Sequence, residues 1–236
     1  MEVMEAKSHG PLSIPYSLDF VFCIDASEGM KAALPRVKQQ IHALISSSVE
    51  YIREYHRYRS IEQMRARLIV FRNYRYDGAN SMVTTGFYDL LQEKDSFERY
   101  LESIQAAVGG GSSEQSGLEA LACAIRSNWT KNDRIIRRRH IVSLWTSSPP
   151  CELGYGKENE FYPQIGMAKD FEALTAWWKN EKIMDGAKRL VLFAPEEGYW
   201  RQFSETWDNV LHFPSNAGEG LDQLTMDQII ICILDI

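Results

Sequence analysis

SLDFVFCIDASEGM, residues 17–30, changes character at Asp25. Leu18, Phe20, Val21, Phe22, Cys23 and Ile24 make a nearly unbroken apolar run. Such a run predicts a strand buried on both faces, the central strand of a parallel sheet. Asp25-Ala26-Ser27-Glu28-Gly29 then ends it abruptly. A carboxylate, a hydroxyl and a glycine at the carboxyl end of a parallel strand stand where open α/β sheets bind their ligands.

Outward from this strand, apolar periodicity places the remaining elements. Pro35 suits a first helical turn, and Val37, Ile41, Leu44, Ile45, Ser48, Val49, Ile52 and Tyr55 continue a long amphipathic helix to near Tyr58. Residues 66–72 read as a second strand, and Asp77-Gly78 as a turn. Residues 81–85 then fold back as an antiparallel edge strand. Phe97, Leu101, Ile104 and Val108 predict a helix that stops at Gly109-Gly110-Gly111. A polar loop, Ser112 to Gln115, precedes a helix over 116–127. The run RIIRRRH, residues 134–140, reads as a solvated turn entering the strand 140–145, which Thr146 to Pro150 closes. After a long polar loop, 151–166, come a helix marked by Phe171, Leu174, Trp177 and Trp178, a strand over 189–194, a short helix over 199–206 and a strand over 210–213. Residues 225–236 are assigned to a helix, with Thr225 and Gln228 as a capping box. This alternation predicts an α/β, Rossmann-like, doubly wound fold: a mostly parallel sheet with one antiparallel edge strand and helices on both faces. Residues 1–16 read as an N-terminal arm and 17–236 as a single domain.

The totals exclude several classes. The chain has 236 residues, 44% hydrophobic and 25% charged, as in ordinary globular proteins. No apolar run reaches membrane-spanning length, and the polar N-terminus does not read as a signal peptide. The four cysteines are far apart and form no CxxC pair, which favours reduced thiols and a cytoplasmic setting. Net charge is −6 and uneven. Lys31 to Tyr76 holds ten Lys or Arg against three acids, and Glu196 to Ile236 holds eight acids against Arg201. An acidic chain with one basic cluster does not predict nucleic-acid binding; opposite charge on opposite faces suits solvation or a protein partner.

Several segments resemble the von Willebrand factor A family, in particular its cytoplasmic bacterial branch of the tellurite-resistance type. They are DASEG at 25–29, RARLIVFRNY at 65–74, GGGSSEQSGLEAL at 109–121, RHIVSLWTSSPP at 139–150, residues 161–178, RLVLFAP at 189–195 and WDNVLHF at 207–213. The resemblance implies a metal-ion-dependent adhesion site at the carboxyl edge of the sheet. There a cation such as Mg²⁺ is completed by an acidic group of a protein partner. It also implies a setting in a multi-protein stress or defence system.

Three loops supply that site in the family. The first keeps Asp25 and Ser27 here but has Gly29 for the last serine. The second offers Ser112, Ser113 and Glu114, with Ser112 where the branch has an acid. In the third, Trp145-Thr146 is followed by Ser147 where the family has Asp. Asp25, Ser27, Ser112, Glu114 and Ser147 are therefore the candidate metal residues, and Glu28, Gly29, Ser113 and Ser148 the candidate partner contacts. One certain carboxylate is a poor match for Mg²⁺, which wants about six oxygens and charge compensation. The expectation is a degenerate site working as a protein-binding surface, with no nucleic-acid or membrane partner.

Enzymatic readings are weak. The glycine run before a helix lacks the P-loop lysine. The five histidines show no ligand spacing, and neither a nucleophile elbow nor a carboxylate pair is visible. The alternatives carried forward are a working Mg²⁺ site, or metal-dependent enzyme, and a scaffold using other surfaces. Those surfaces are the basic first helix, the acidic C-terminal stretch and the loop around Tyr155, Phe161 and Tyr162.

Overall fold

The apolar run becomes β1 (Tyr16–Asp25), every residue of which is buried. A computed structural model describes residues 14–55, 60–109, 112–131, 136–180, 186–214 and 226–234. After β1 come α1 (Leu34–Tyr55), β2 (Ile61–Phe71), β3 (Met82–Thr84), β4 (Tyr88–Asp89), α2 (Lys94–Ser103) and α3 (Gly117–Ile125). Then follow β5 (Arg137–Trp145), α4 (Phe171–Asn180), β6 (Lys188–Ala194), α5 (Gly198–Thr206), β7 (Val210–Pro214) and α6 (Met226–Leu234).

The seven strands form one sheet in the order β3-β2-β1-β5-β6-β7, with β4 also on β2. β1 runs parallel to both β2 and β5, and β6 and β7 continue the parallel set. β3 and β4 are antiparallel to β2. Strand side chains alternate between two cores. Leu18, Phe20, Phe22 and Ile24 meet α1, α2 and α6, whereas Val21 and Cys23 meet α3, α4 and α5. The chain is thus an α/β, Rossmann-like fold with a mostly parallel sheet and helices on both faces, as the alternating pattern predicts.

The differences have local causes. Tyr16, assigned to the arm, opens β1 and pairs with Ile61, so β2 starts five residues before the predicted Ala66. Polar Glu62, Gln63 and Arg65 hid that half of the strand. The antiparallel edge comprises two short strands, not one. α2 ends at Ser103, not at the glycine run, and Val108 is 93% exposed. Loop contacts take over there: Ala107 N–H donates to Ala26 O and Arg72 donates to Gln105 O.

Arg137 to Arg139 belong to β5 and not to a solvated turn. Arg139 is buried, and its guanidinium donates to the carbonyls of Ile233 and Leu234 at the end of α6, where a cation is favourable. Gly110, Gly111, Arg134, Ile135, Thr225 and the helix end near Tyr58 lie outside the described residues. Among the described residues no helix is long and apolar enough to cross a membrane.

Candidate functional site

In this strand order the connections leave β1 and β5 in opposite directions, so their carboxyl ends form a topological switch point. Ile24 pairs with Trp145, which brings the next residues, Asp25 and Thr146, together. Asp25 is fully buried. Its Oδ1 accepts from Ser27 N–H at 2.8 Å and its Oδ2 from the Thr146 hydroxyl at 2.6 Å. Burial pushes its carboxyl above the usual range, against these hydrogen bonds and the attraction of Arg72.

Arg72 follows β2 at the same edge. Its guanidinium donates to Ala26 O, Asn80 O and Gln105 O at 2.8–2.9 Å, tying three segments together. Asn73 Nδ2 donates to Glu114 O at 2.8 Å. Gln115 N–H donates to Pro149 O, and Cys151 N–H returns a bond to Gln115 O. Four loop regions therefore brace one another through backbone groups, each of which would be costly to leave buried and unpaired.

A cavity of about 320 Å³ opens among these loops. Ser27, Glu28 and Gly29 line it from the first loop, Ser112 and Ser113 from the second and Ser148 from the third. Asp25 lies beneath, fully enclosed. A Cβ on Gly29 would fit in ordinary van der Waals contact, 3.8 Å from Ser147 Oγ and 3.9 Å from Ser27 Oγ. Glu114 is exposed, is not among the lining residues, and meets the site through its backbone.

Gln115, the end of the second loop, lines the cavity too; Asn73 and Asp77 also line it and escaped sequence reasoning. The available signal was register: Phe71 ends β2 opposite Asp25, so whatever follows Phe71 emerges beside Ala26.

The donor set does not fit a held divalent cation. Both oxygens of the buried Asp25 carboxylate already accept hydrogen bonds, the other predicted ligands are neutral hydroxyls and the exposed Glu114, and of the two carboxylates in the cavity lining, Glu28 and Asp77, the second already accepts from Asn73 N–H. Among the described residues no three His, Cys, Asp or Glu side chains gather as metal ligands. The Ser27 hydroxyl is buried, but a hydroxyl is a weak neutral ligand and cannot offset the charge of Mg²⁺.

Another buried acid lies in α3. Glu119 Oε1 accepts from Gly154 N–H at 3.0 Å and Tyr162 OH at 3.3 Å, so it anchors the 151–166 loop from below. Burial pushes its carboxyl up to about 7. Tyr162, offered above as part of a surface, is buried and packs edge-on against Tyr74; Phe161 remains exposed.

No family model and no curated protein matches the chain. Among solved structures it is similar to the pilus adhesin SpaC from Lactobacillus rhamnosus GG, with TM-score 0.51 and 13% identity over 95% of this chain and 31% of that one. It is also similar to proximal thread matrix protein 1 of the mussel byssus, with TM-score 0.51 and 12% identity over 94% of this chain and 47% of that one. The chain spans about a third of the adhesin and about half of the matrix protein. At such identities the likeness is one of fold.

Proposed function

We propose that this chain is a non-catalytic binding module of the von Willebrand A type, and that a partner protein docks on the carboxyl edge of its sheet. The observation that carries this reading is the mutual bracing of the loops after β1, β2, α2 and β5 around one hydroxyl- and amide-lined cavity. Loops held this way meet a partner with little ordering cost. Asp25 is committed to Ser27 and Thr146, and among the described residues no His, Cys or Lys lines the cavity, which favours a binding reading. The two neighbours of the same fold are an adhesin and a matrix protein by name, which accords with an interaction role. The sequence resemblance adds a bacterial, cytoplasmic stress or defence assembly as the setting, with the partner free of any Mg²⁺ requirement.

The test compares proteins captured from the cells that make this chain by wild type, by Glu28→Lys with Ser113→Arg, and by Arg201→Glu on α5. A partner lost with the edge variant and kept with the α5 variant is expected. An identical captured set for all three would refute docking at this edge.

A further inference from the structure

A groove opens on the α1 side of the loop edge, beyond the wall of the cavity. We infer that it takes an extended segment of a partner protein, added as a strand beside residues 104–108, with an apolar side chain in the groove and a carboxylate beside Lys31. This surface is separate from the cavity, so the inference does not rest on the docking reading above.

One wall is the first turns of α1, with Leu34, Pro35 and Gln39, preceded by Lys31. The other is the segment Ile104 to Val108 that follows α2. Lys38 joins the walls: its Nζ donates to Glu102 O at 2.6 Å and lies 3.6 Å from Glu102 Oε2. The space between is about 560 Å³, within the range of ligand clefts. The segment divides this groove from the cavity. Ala107 and Gly109 line the cavity, whereas Ala106 and Val108 line the groove.

The backbone of that segment selects what enters. Ile104 is extended, with φ −65° and ψ 128°. Gln105 C=O accepts from Arg72 at 2.9 Å and Ala107 N–H donates to Ala26 O at 2.8 Å. Alternate residues thus turn their peptide groups to the loops after β1 and β2, as in a strand, and the residues between them turn theirs away. Among the described residues, the N–H and C=O of Ala106, the C=O of Ile104 and the N–H of Val108 have no hydrogen-bond partner. Such a row is a strand edge without its neighbour, which strand addition uses. The peptide groups of a helix are already paired within it, so an extended chain is the occupant that fits.

Charge says what the segment carries. Between Glu28 and Glu50 the chain has no acid, and no acid stands in the first turn of α1. Lys31 is exposed and makes no ion pair among the described residues. Glu102, the one carboxylate lining the groove among those residues, is engaged by Lys38 and by His42 Nε2 at 3.3 Å. An anionic group is therefore drawn both by Lys31 and by the positive end of α1, whereas a cationic one meets repulsion from both. Pro35, Ala106 and Val108 supply the apolar contact. An extended segment advances about 3.3 Å per residue, so the pairing, the apolar contact and the carboxylate belong to successive residues and need not meet at one atom.

The test is a chemical-shift titration of the ¹⁵N-labelled full chain with the tetrapeptide acetyl-Val-Leu-Val-Glu amide. Its counterpart ending in lysine and a copy with N-methylated backbone are the controls. Expected are saturable shifts confined to the amides of Lys31 to Gln39 and Ile104 to Val108, with the Ala106 amide proton moving downfield as it gains an acceptor. Both controls should bind about tenfold more weakly. Lys31→Glu, at an exposed position and verified by a thermal melt, should reverse the preference between the acidic and the lysine peptide. No localised shift up to about 5 mM peptide, an equal response to all three peptides, or an unchanged preference in the folded variant would each overturn the inference. Glu28→Lys with Ser113→Arg should leave the peptide shifts in place. Their loss there would assign the peptide to the cavity and sink the groove, whereas their persistence beside a failed partner capture would sink docking at the edge alone.

Discussion

Asp25 holds the edge together through two donors, one on its own loop and one beyond β5. Thr146→Val removes the hydroxyl that reaches Oδ2 and the acceptor that Ser148 N–H uses at 3.0 Å. Two buried polar groups lose a partner, so urea melts should show a loss of about 1–3 kcal/mol. Glu119 makes a different prediction. Its folded carboxyl sits at about 7 against an ordinary 4.5, so between those values the folded chain holds more protons than the unfolded one. Stability contributed by Glu119 is then fully present below about 4.5 and is lost as pH rises to about 7. The full swing is about 3 kcal/mol. His140 acts in the opposite sense. Burial lowers its imidazole from 6.5 to about 4, so its contribution is lost as pH falls through that range. The readout is therefore the difference between wild type and Glu119→Gln: the gap in unfolding free energy should shift in favour of the variant from pH 5 to pH 8. A gap independent of pH would refute the assignment.

At the scale of elements, the contact between α3 and α5 ties packing to the site. A Cβ on Gly117 would come within 2.6 Å of the Trp200 ring, which is fully buried and cannot swing away freely. Gly117→Ala should therefore cost about 1–3 kcal/mol in denaturant unfolding, by overpacking. Trp200→Phe in the same chain should recover part of it. Because Trp200 Nε1 donates to Ser148 O at 2.9 Å, the single variant should also shift the Ser148 amide resonance at the cavity wall. Such couplings explain what was legible in the sequence. β1, β5 and β6 are buried on both faces, so their unbroken apolar runs announce them. The three loops after Asp25, Ser112 and Trp145 follow from where strands and helices end. The length of α2 was not legible, because hydrogen bonds to Ala26 and from Arg72, distant in sequence, pull its predicted last turn into a loop. Glu119 was hidden for a similar reason. A glutamate in an amphipathic helix reads as solvent-facing, whereas all of α3 but Cys123 is buried, between the sheet and the 151–166 loop. Asp77 read as turn chemistry alone, since nothing local says that its turn borders a cavity.

For the whole molecule, the divalent-cation question has a global readout. A ligand that binds only the folded state raises the melting temperature by mass action. Chelator-stripped protein given Mg²⁺ at about 5 mM should melt within about 1 °C of the untreated sample. A clear rise that vanishes in Asp25→Ala would overturn the donor-set argument made above.

Arg72 bears on the same matter from the other side. Its guanidinium gathers the carbonyls of Ala26, Asn80 and Gln105, as a bound cation gathers oxygens from separate loops. This positive charge is encoded in the chain and arrives with translation. These three ties of the edge are thus supplied by the chain itself, and a cell starved of divalent ions would still make them.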